Sequence, residues 1–599
     1  MSVPSAGSSR PDAKTVIKSS TTFRIRLTND PTVGPEFSGS WVRWGRSGQE
    51  RCLACESGVA LTESETHRAG DLLIRGDAES VFRVHSASMA VVDPGTRSIT
   101  IACHPSGLHP IFLRPEPDGI VAGNSLTEVA GANRIPDPVG LLEHLFWGWC
   151  IGVRTPVAGV RRLEPGQVAT ITVRDGGPSI EWSCVPWHSG PEAEELGTTY
   201  WAQLAGAISV PGSGPVALMM SGGWDSRTLL AALLQHLPAD RVLLYSHGMV
   251  DSRELALVDA FGRKLGCRVH LEPIAPSSFD VDSMAEGFRR TGNIQFPYWH
   301  HAGRRLADLG VRQGYNGIFG ELIGGRHGTT KAGSFLQRAL VAVAPRLVRS
   351  QRREGIVAEG MALFETTIPS GKPWFLTSDA WRSMEPSVAI IREEARDWLE
   401  RHLAVPNPTI GGLMEEFFSK HLNGQYAGEQ PRSFLGLIPW STPMASLGCI
   451  RNGVALDFST RAQNRHHRRM LREHAPAFLT RPTAACLIPA KYPIPMQEAS
   501  RALRKVLEAL SPARASRLSW ANFDFLRNSG RLEAIAATFG PQFIDREAVK
   551  NRVAAANSST QGSMHSLTDM LLKITNVEWW LNPQASGGSV HSAGPARVD

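Results

Sequence analysis

The sequence is poor in several things that would settle its class at once. Cysteine is sparse, with 8 in 599 residues. They are scattered, which excludes the disulfide framework of a small secreted domain. Cys52 and Cys55 form a lone C-x-x-C with no second pair, so a zinc site is not expected there and reduced thiols are. No run approaches the roughly 18 apolar residues that span a bilayer. Met1-Ser-Val-Pro-Ser-Ala-Gly-Ser-Ser lacks the charged and apolar regions of a signal peptide. The expectation is a cytoplasmic protein with no membrane partner. There is no basic arm and no RNA- or DNA-binding signature, so no nucleic-acid partner is expected. The formal charge of +7 suits ATP, an acidic peptide or nucleic acid without choosing among them. The Walker text G-x-x-x-x-G-K-[ST] is also missing.

What is present is an ordinary globular composition, 42% hydrophobic and 20% charged, in a chain long enough for two or more domains. One stretch organises it. Val216-Ala-Leu-Met-Met220 is a short apolar run of the kind a buried parallel strand shows. Ser221-Gly-Gly-Trp-Asp-Ser226 follows as a tight loop, and Arg227 to Leu237 has helix-forming composition with an apolar face. Gly222 and Gly223 let the backbone turn sharply and approach a ligand. Free N–H groups at a helix start make an anion site, and the hydroxyls of Ser221 and Ser226 add donors. Asp225 is the odd member, because a carboxylate beside phosphates needs a cation between them. Mg²⁺, held by one or two carboxylates plus phosphate oxygens, resolves this.

Taken in order, residues 1–20 are rich in Ser, Pro and Gly and read as a disordered tail. Phe23-Arg-Ile-Arg-Leu, Asp71-Leu-Leu-Ile-Arg and Ser80-Val-Phe-Arg-Val-His read as strands of a β-rich domain over 21–187. His188 to Gly197 reads as a linker. A second domain over 198–581 begins with the Ser221 loop. Strands at Arg241–Gly248 and Arg268–Glu272 flank a helix at Ser252–Gly266, which implies a parallel sheet with ligands at the C-terminal strand ends. Met220, Ser246 and His247 then stand beside the Ser221 loop as nucleotide contacts, and Tyr245 to Gly248 is a candidate adenine wall. Phe296-Pro-Tyr-Trp-His-His301 reads either as pocket lining or as a packed aromatic cluster. Residues 330–430 and 500–581 are helical in composition, Gln351-Arg-Arg-Glu and Arg465–Arg472 read as solvated faces, and Trp579-Trp580 anchor the last helix. The tail over 582–599 reads as disordered.

Ser-Gly-Gly-x-Asp-Ser after a strand resembles the pyrophosphate loop of the ATP-pyrophosphatase enzymes. Ala90-Val-Val-Asp-Pro, Ile99 to Leu113, Gly119 to Leu126 and Gly148 to Gln167 are similar to the second half of the glutamine-amidohydrolase domain of asparagine synthetases. Val311 to Gly325 lies where that family carries a second glycine-rich loop ending Gly-Asp-Glu-Leu-Phe-Gly-Gly. Glu321, Leu322, Gly324 and Gly325 match it, and Gly317 falls in the same loop. The implied fold is α/β: a degenerate Ntn-amidohydrolase-like domain, then an adenine-nucleotide α-hydrolase-like parallel sheet with helical additions. The implied cofactors are ATP and Mg²⁺, with Asp225 and Glu321 as metal ligands. The chain departs from the family twice. Position 2 is Ser2 on an extended tail, not the N-terminal cysteine nucleophile, so no glutaminase activity is expected. The aspartate before Glu321 is replaced by Gly320, which keeps a pseudoenzyme reading open.

Without ammonia from glutamine, the amine must come from a substrate. That pattern resembles the lasso peptide cyclases, which adenylate an Asp or Glu side chain of a precursor peptide and close a macrolactam with its α-amine, releasing AMP and pyrophosphate. A leader-binding protein and a leader protease are the partners the resemblance implies. A β-lactam synthetase or another small-molecule ligase, a glutamine-dependent synthetase, and a non-catalytic binding protein are the alternatives. Related enzymes deliver a lysine to the adenylate from a segment like Leu479–Pro495, where a preorganised cation stabilises developing charge. Strict register from Arg481 gives Thr483; Lys491 is the only lysine in the segment and is the expected catalytic residue, with Glu321.

Overall fold

The computed structural model describes residues 23–28, 35–39, 42–44, 51–56, 63–174, 177–187, 199–210, 212–250, 252–325, 343–344, 353–404, 410–510, 523–559 and 564–582. Both tails and the 188–197 linker expectation therefore lie outside the described residues, apart from Asn582.

The fold is mixed α/β, with two antiparallel sheets and one parallel sheet. The N-terminal strands are β1 (Phe23–Thr28), β2 (Glu36–Gly39), β3 (Val42–Trp44), β4 (Arg51–Glu56), β5 (Ser88–Asp93), β6 (Ser98–Ala102), β7 (Phe112–Glu116), β8 (Gly119–Gly123), β9 (Arg161–Arg162), β10 (Gln167–Arg174) and β11 (Gly177–Cys184). They form one sheet in the order β2-β1-β8-β7-β9 and another in the order β11-β10-β6-β5-β4-β3. Alternate residues of facing strands build the core between them: Phe23, Ile25 and Ile120 meet Ile99, Ile101 and Ile171.

Two stretches expected as strands are helical. Asp71–Ile74 belongs to the Glu63–Ile74 helix and Ser80–Val84 to the Ala78–Val84 helix. Ala69 and Leu73, and likewise Ala78, Val81 and Phe82, recur at helical spacing and pack on the outer face of the second sheet against Met89, Val91 and Val168. Asp77 caps the shorter helix, its carboxylate accepting from Ser80 N at 3.0 Å.

The third sheet contains β12 (Val216–Met219), β13 (Val242–Gly248), β14 (Arg268–Pro273), β15 (Gln313–Tyr315) and β16 (Trp440–Ser441), all parallel, in the order β14-β13-β12-β15-β16. Leu218 pairs with Leu244 on one side and Tyr315 on the other. Chain order reverses between β12 and β15, so the loops after these two strands diverge and leave a crevice. The helices Asp225–His236 and Arg253–Leu265 fall where their apolar spacing predicts.

A single apolar core runs through both halves, joining Leu108, Phe112 and Leu142 to Leu218, Leu230 and Trp579. Polar ties reinforce it. Arg432 donates to Asn124 O at 3.1 Å and to Glu429 at 2.8 Å. The His109 ring stacks on Trp440 at 4.6 Å. Arg451 donates to Glu79 at 2.7 Å. Trp579 and Trp580 anchor the His565–Leu581 helix as expected, with Trp580 Nε1 donating to Gly292 O at 3.2 Å. Arg465–His474 does not have the solvated face expected of it throughout, since His467 and Arg468 are buried against neighbouring segments.

Candidate functional site

The crevice at the strand reversal opens into a cavity of about 1170 Å³. Its lining gathers most of the candidate residues: Met220, Ser221, Gly223, Asp225, Ser226, Ser246, His247, Gly317 and Glu321. Gly222 is buried in the same loop, where an added Cβ would lie 2.8 Å from Ala484 Cβ. Residues as far apart as Met220 and Glu321, 101 positions in sequence, are therefore held together by strand ends and tight loops rather than by local pattern.

The N–H donors of the Ser221 loop are held by protein groups. Ser226 Oγ accepts from Ser221 N at 3.1 Å, and Ser221 Oγ accepts from Gly223 N at 3.2 Å. Gly222 N, three residues before the Asp225–His236 helix, donates to Glu254 Oε1 at 2.9 Å. Enclosure pushes the Glu254 carboxyl above its ordinary range, opposed by the Gly222 hydrogen bond. Nothing in the one-dimensional pattern singled out Glu254; it is the second residue of an ordinary helix after a Ser252 cap.

Arg227 was missed as well. It is fully buried and donates to Phe478 O at 3.1 Å, Arg481 O at 3.2 Å and Pro482 O at 2.7 Å. Its guanidinium lies 4.7 Å from the Phe261 ring centroid. It lashes the segment 478–484 to the Ser221 loop, and Ala484 N completes the join by donating to Gly222 O at 3.0 Å. A helix-face arginine in sequence gives no sign of the four carbonyls that its two terminal nitrogens reach, Gly222 O among them at 3.4 Å.

The two expected metal ligands are differently placed. His467 Nε2 pairs with Gly320 O at 3.1 Å, and Asp225 Oδ1 lies 2.9 Å from the same nitrogen. Both are acceptors, so Nε2 carries the proton. His467 Nδ1 lies 2.9 Å from Thr228 Oγ1 and His467 is fully buried. A Cβ built on Gly320 would lie 2.5 Å from Asp225 Cβ and 2.6 Å from its Oδ1. The absence of a side chain at 320 is thus what makes room for Asp225 to lie against His467. Glu321 is the second residue of the five-residue helix Gly320–Gly324 and also lines the cavity. Among the described residues no three His, Cys, Asp or Glu side chains converge into an all-protein metal cage. The donor set, two carboxylates on the wall of a cavity, fits Mg²⁺ carried in with phosphates. Glu254 and Glu498 line the same cavity against the cations Arg501 and Lys505. Four acids facing two bases will not receive a polyphosphate without a cation between them.

The stretch expected as an adenine wall lies in an aromatic part of the lining. Tyr245 and Trp299 line the cavity with His247, whose ring meets Trp299 edge-on at 5.2 Å and Tyr298 at 5.1 Å. Burial pushes the His247 imidazole down to about 3, so it is uncharged at neutral pH. Of the Phe296–His301 stretch, Trp299 is lining while Phe296 and Tyr298 are packing.

Lys491 is the candidate the structure sets apart. It is exposed, its ammonium 5.7 Å from the Tyr492 ring, and it does not line the cavity. The strict-register residue Thr483 does line it, and the cavity's lysine is Lys505, fourteen positions further on in the Ile494–Leu510 helix. Proline-containing turns at 489 and 493 carry Lys491 outward, while the next helix folds back across the cavity mouth.

No helix among the described residues is long and apolar enough to cross a membrane. No family model and no curated protein matches the chain. Among solved structures, an allosteric regulatory enzyme of purine biosynthesis is similar at 11% identity over 43% of this chain and 74% of that chain, with a TM-score of 0.19. A glutamine phosphoribosylpyrophosphate amidotransferase from B. subtilis complexed with ADP and GMP is similar at 10% identity over 43% and 76%, also at 0.19. Superpositions of that quality carry no argument about this chain.

Proposed function

We infer that the chain is an ATP-dependent, AMP-forming amide synthetase of the asparagine synthetase-like kind, acting as a macrolactam synthetase on a precursor peptide. Its N-terminal half is read as a degenerate Ntn-amidohydrolase-like scaffold and its parallel sheet as adenine-nucleotide α-hydrolase-like. The observation that carries the reading is the Ser221 loop at the strand reversal, with all three of its first N–H groups in the hands of a carboxylate and two hydroxyls that phosphate oxygens can replace.

On this reading ATP is seated with its base against Tyr245, His247 and Trp299 and its β- and γ-phosphates on the loop. Mg²⁺ would be held by Asp225 and Glu321 and would neutralise phosphate charge. The peptide's Asp or Glu carboxylate oxygen attacks the α-phosphorus, and the bond to pyrophosphate breaks. The α-amine nitrogen then attacks the acyl carbon, loses a proton, and the bond to AMP breaks. The net change in the peptide is loss of one water. Lys505 and Arg501 supply the cationic wall that stabilises both anionic leaving groups, the role first expected of Lys491. Holding two ends of one chain together is largely entropic work. A leader-binding protein and a leader protease would prepare the substrate.

The test is pyrophosphate release from ATP and Mg²⁺ with a linear core peptide bearing a free α-amine, read alongside product mass. Peptide-dependent release with loss of one water, abolished by Asp225→Ala, is expected. Release with free amino acids instead would move the reading to a small-molecule ligase. The Asp225–His467 pairing is the observation that favours a non-catalytic nucleotide-binding protein, and nucleotide binding without any release would support it.

A further inference from the structure

The Ile494–Leu510 helix is built the wrong way round for a surface helix. Its buried residues are polar: Gln497 and Ser500. Gln497 Nε2 donates to Pro489 O at 2.6 Å, Ser500 Oγ accepts from Leu487 N at 2.7 Å, and Arg504 Nε donates to Ala485 O at 2.9 Å. The helix is fastened to the 485–489 segment by hydrogen bonds alone on this side. Its apolar residues face out. Met496 is 48% exposed, Leu503 52%, Val506 53%, Leu507 47% and Leu510 75%. With Tyr492 they make six of the thirteen large hydrophobics exposed in this way among the described residues. Their spacing of three, four and seven puts them on one stripe. Leaving such a stripe in water forfeits the gain that organises every other amphipathic helix of the chain.

The stripe is continuous with the cavity. Ala499 lies on it, three residues after Met496 and four before Leu503, and Ala499, Ala502 and Lys505 line the cavity wall. The cavity exceeds the roughly 300–1,000 Å³ of a single small-ligand site, so a nucleotide leaves room for part of a second substrate and for its exit. Lys505 lines the cavity from a different face of the same helix. From Ala499 to Leu510 the helix rises about 16 Å, the length of roughly five extended peptide residues.

We propose that this outward stripe, Met496, Leu503, Val506, Leu507 and Leu510, is the docking surface for apolar side chains of the peptide substrate adjoining the carboxylate that enters the cavity. The proposal rests on the peptide reading above and specifies where specificity for that peptide resides. Apolar residues of the substrate within about five positions of the reacting carboxylate lie along the stripe, and alternating ones contact it.

The experiment uses the full chain and a fluorescein-labelled linear peptide with a free α-amine, one internal Asp and Leu or Phe residues following it. Leu503→Glu/Leu507→Glu is the test variant. Both positions are solvent-facing and neither lines the cavity, so the fold and the KM for ATP are expected to stay as in the wild type. Peptide affinity, measured by anisotropy, is expected to fall about tenfold, with a matching rise in peptide KM and little change in kcat. A second peptide with Ser in place of the Leu and Phe residues is expected to bind wild type and variant alike. Equal binding of the apolar peptide by both proteins overturns the proposal. So does a change in sedimentation on making the variant, which would assign the stripe to contact between copies of this chain. Because anisotropy does not need turnover, absence of pyrophosphate release from the wild type would sink the synthetase reading while leaving the docking result standing by itself.

Discussion

Placing a side chain at position 320 separates two accounts of the metal site. The resemblance to asparagine synthetases treats Gly320 as a lost ligand, so Gly320→Asp should restore metal binding. The structure treats it as space already spent. A Cβ there lies 2.5 Å from Asp225 Cβ and 2.6 Å from Cγ and Oδ1, inside any tolerable contact. Gly320 is not among the glycines with positive φ, so the substitution reports packing and not backbone strain. Asp225 must swing away, which opens its 2.9 Å contact with His467 Nε2. Losing a close polar contact to a charged group costs up to about 1.5–3 kcal/mol, and overpacking adds about 1–3. His467 keeps Gly320 O as an acceptor, which places the expected loss near 3 kcal/mol for Gly320→Ala. Gly320→Asp adds a like charge beside Asp225 and is expected to lose at least as much. Urea unfolding gives the stability, and nucleotide binding at graded Mg²⁺ gives the metal dependence. If Gly320→Asp were as stable as the wild type and bound Mg²⁺·ATP more tightly, the packing argument would be refuted.

Three further outcomes are expected. Arg227→Met removes donors to three carbonyls of 478–482 and should cost about 3–5 kcal/mol; proteolysis near 478–484 should become faster in the variant, and unchanged cleavage would contradict the lashing role. Lys505→Ala should slow pyrophosphate release by roughly 10²-fold while Lys491→Ala stays near the wild type; the reverse order would return the role to Lys491. The Glu79–Arg451 pair tests the union of the two halves by pH. The Arg451 hydrogen bond holds the Glu79 carboxyl down to about 2 from 4.5, so its folded value is depressed, and the pair's stabilisation is present above about 4.5 and lost as pH falls through about 2. Glu79 is 36% exposed, which reduces the pair to about 1 kcal/mol. Arg451→Met should therefore be less stable than the wild type at pH 7 by that amount, and the gap should close toward pH 2.

How much was legible in sequence depended on how local the cause was. Val216–Met219, Val242–Gly248 and Arg268–Pro273, with their two helices, were readable because each strand, loop and helix is written in consecutive residues. The Ser221 loop was readable for the same reason, but its serine hydroxyls, expected as donors to a ligand, accept from the loop's own N–H groups. Asp71–Ile74 and Ser80–Val84 were misread because a pair of apolar residues in four fits either period, and only packing on the second sheet decides for helix. Lys491 was misplaced because a sequence segment says which residue types are near, not which way a chain turns after Pro489 and Pro493.

The sequence by itself determined three of the five parallel strands, Val216–Met219, Val242–Gly248 and Arg268–Pro273, their order of appearance and the glycine turn at Ser221, all set by short-range periodicity and glycine. Tertiary structure alone decided that His467 meets Asp225 across more than two hundred residues, that Glu254 takes the Gly222 N–H, that Arg227 binds the 478–482 carbonyls, and that the Ile494–Leu510 helix turns its apolar stripe outward. Each of these is a hydrogen bond or a facing set by where loops converge at a strand reversal, and chain periodicity holds no record of that convergence.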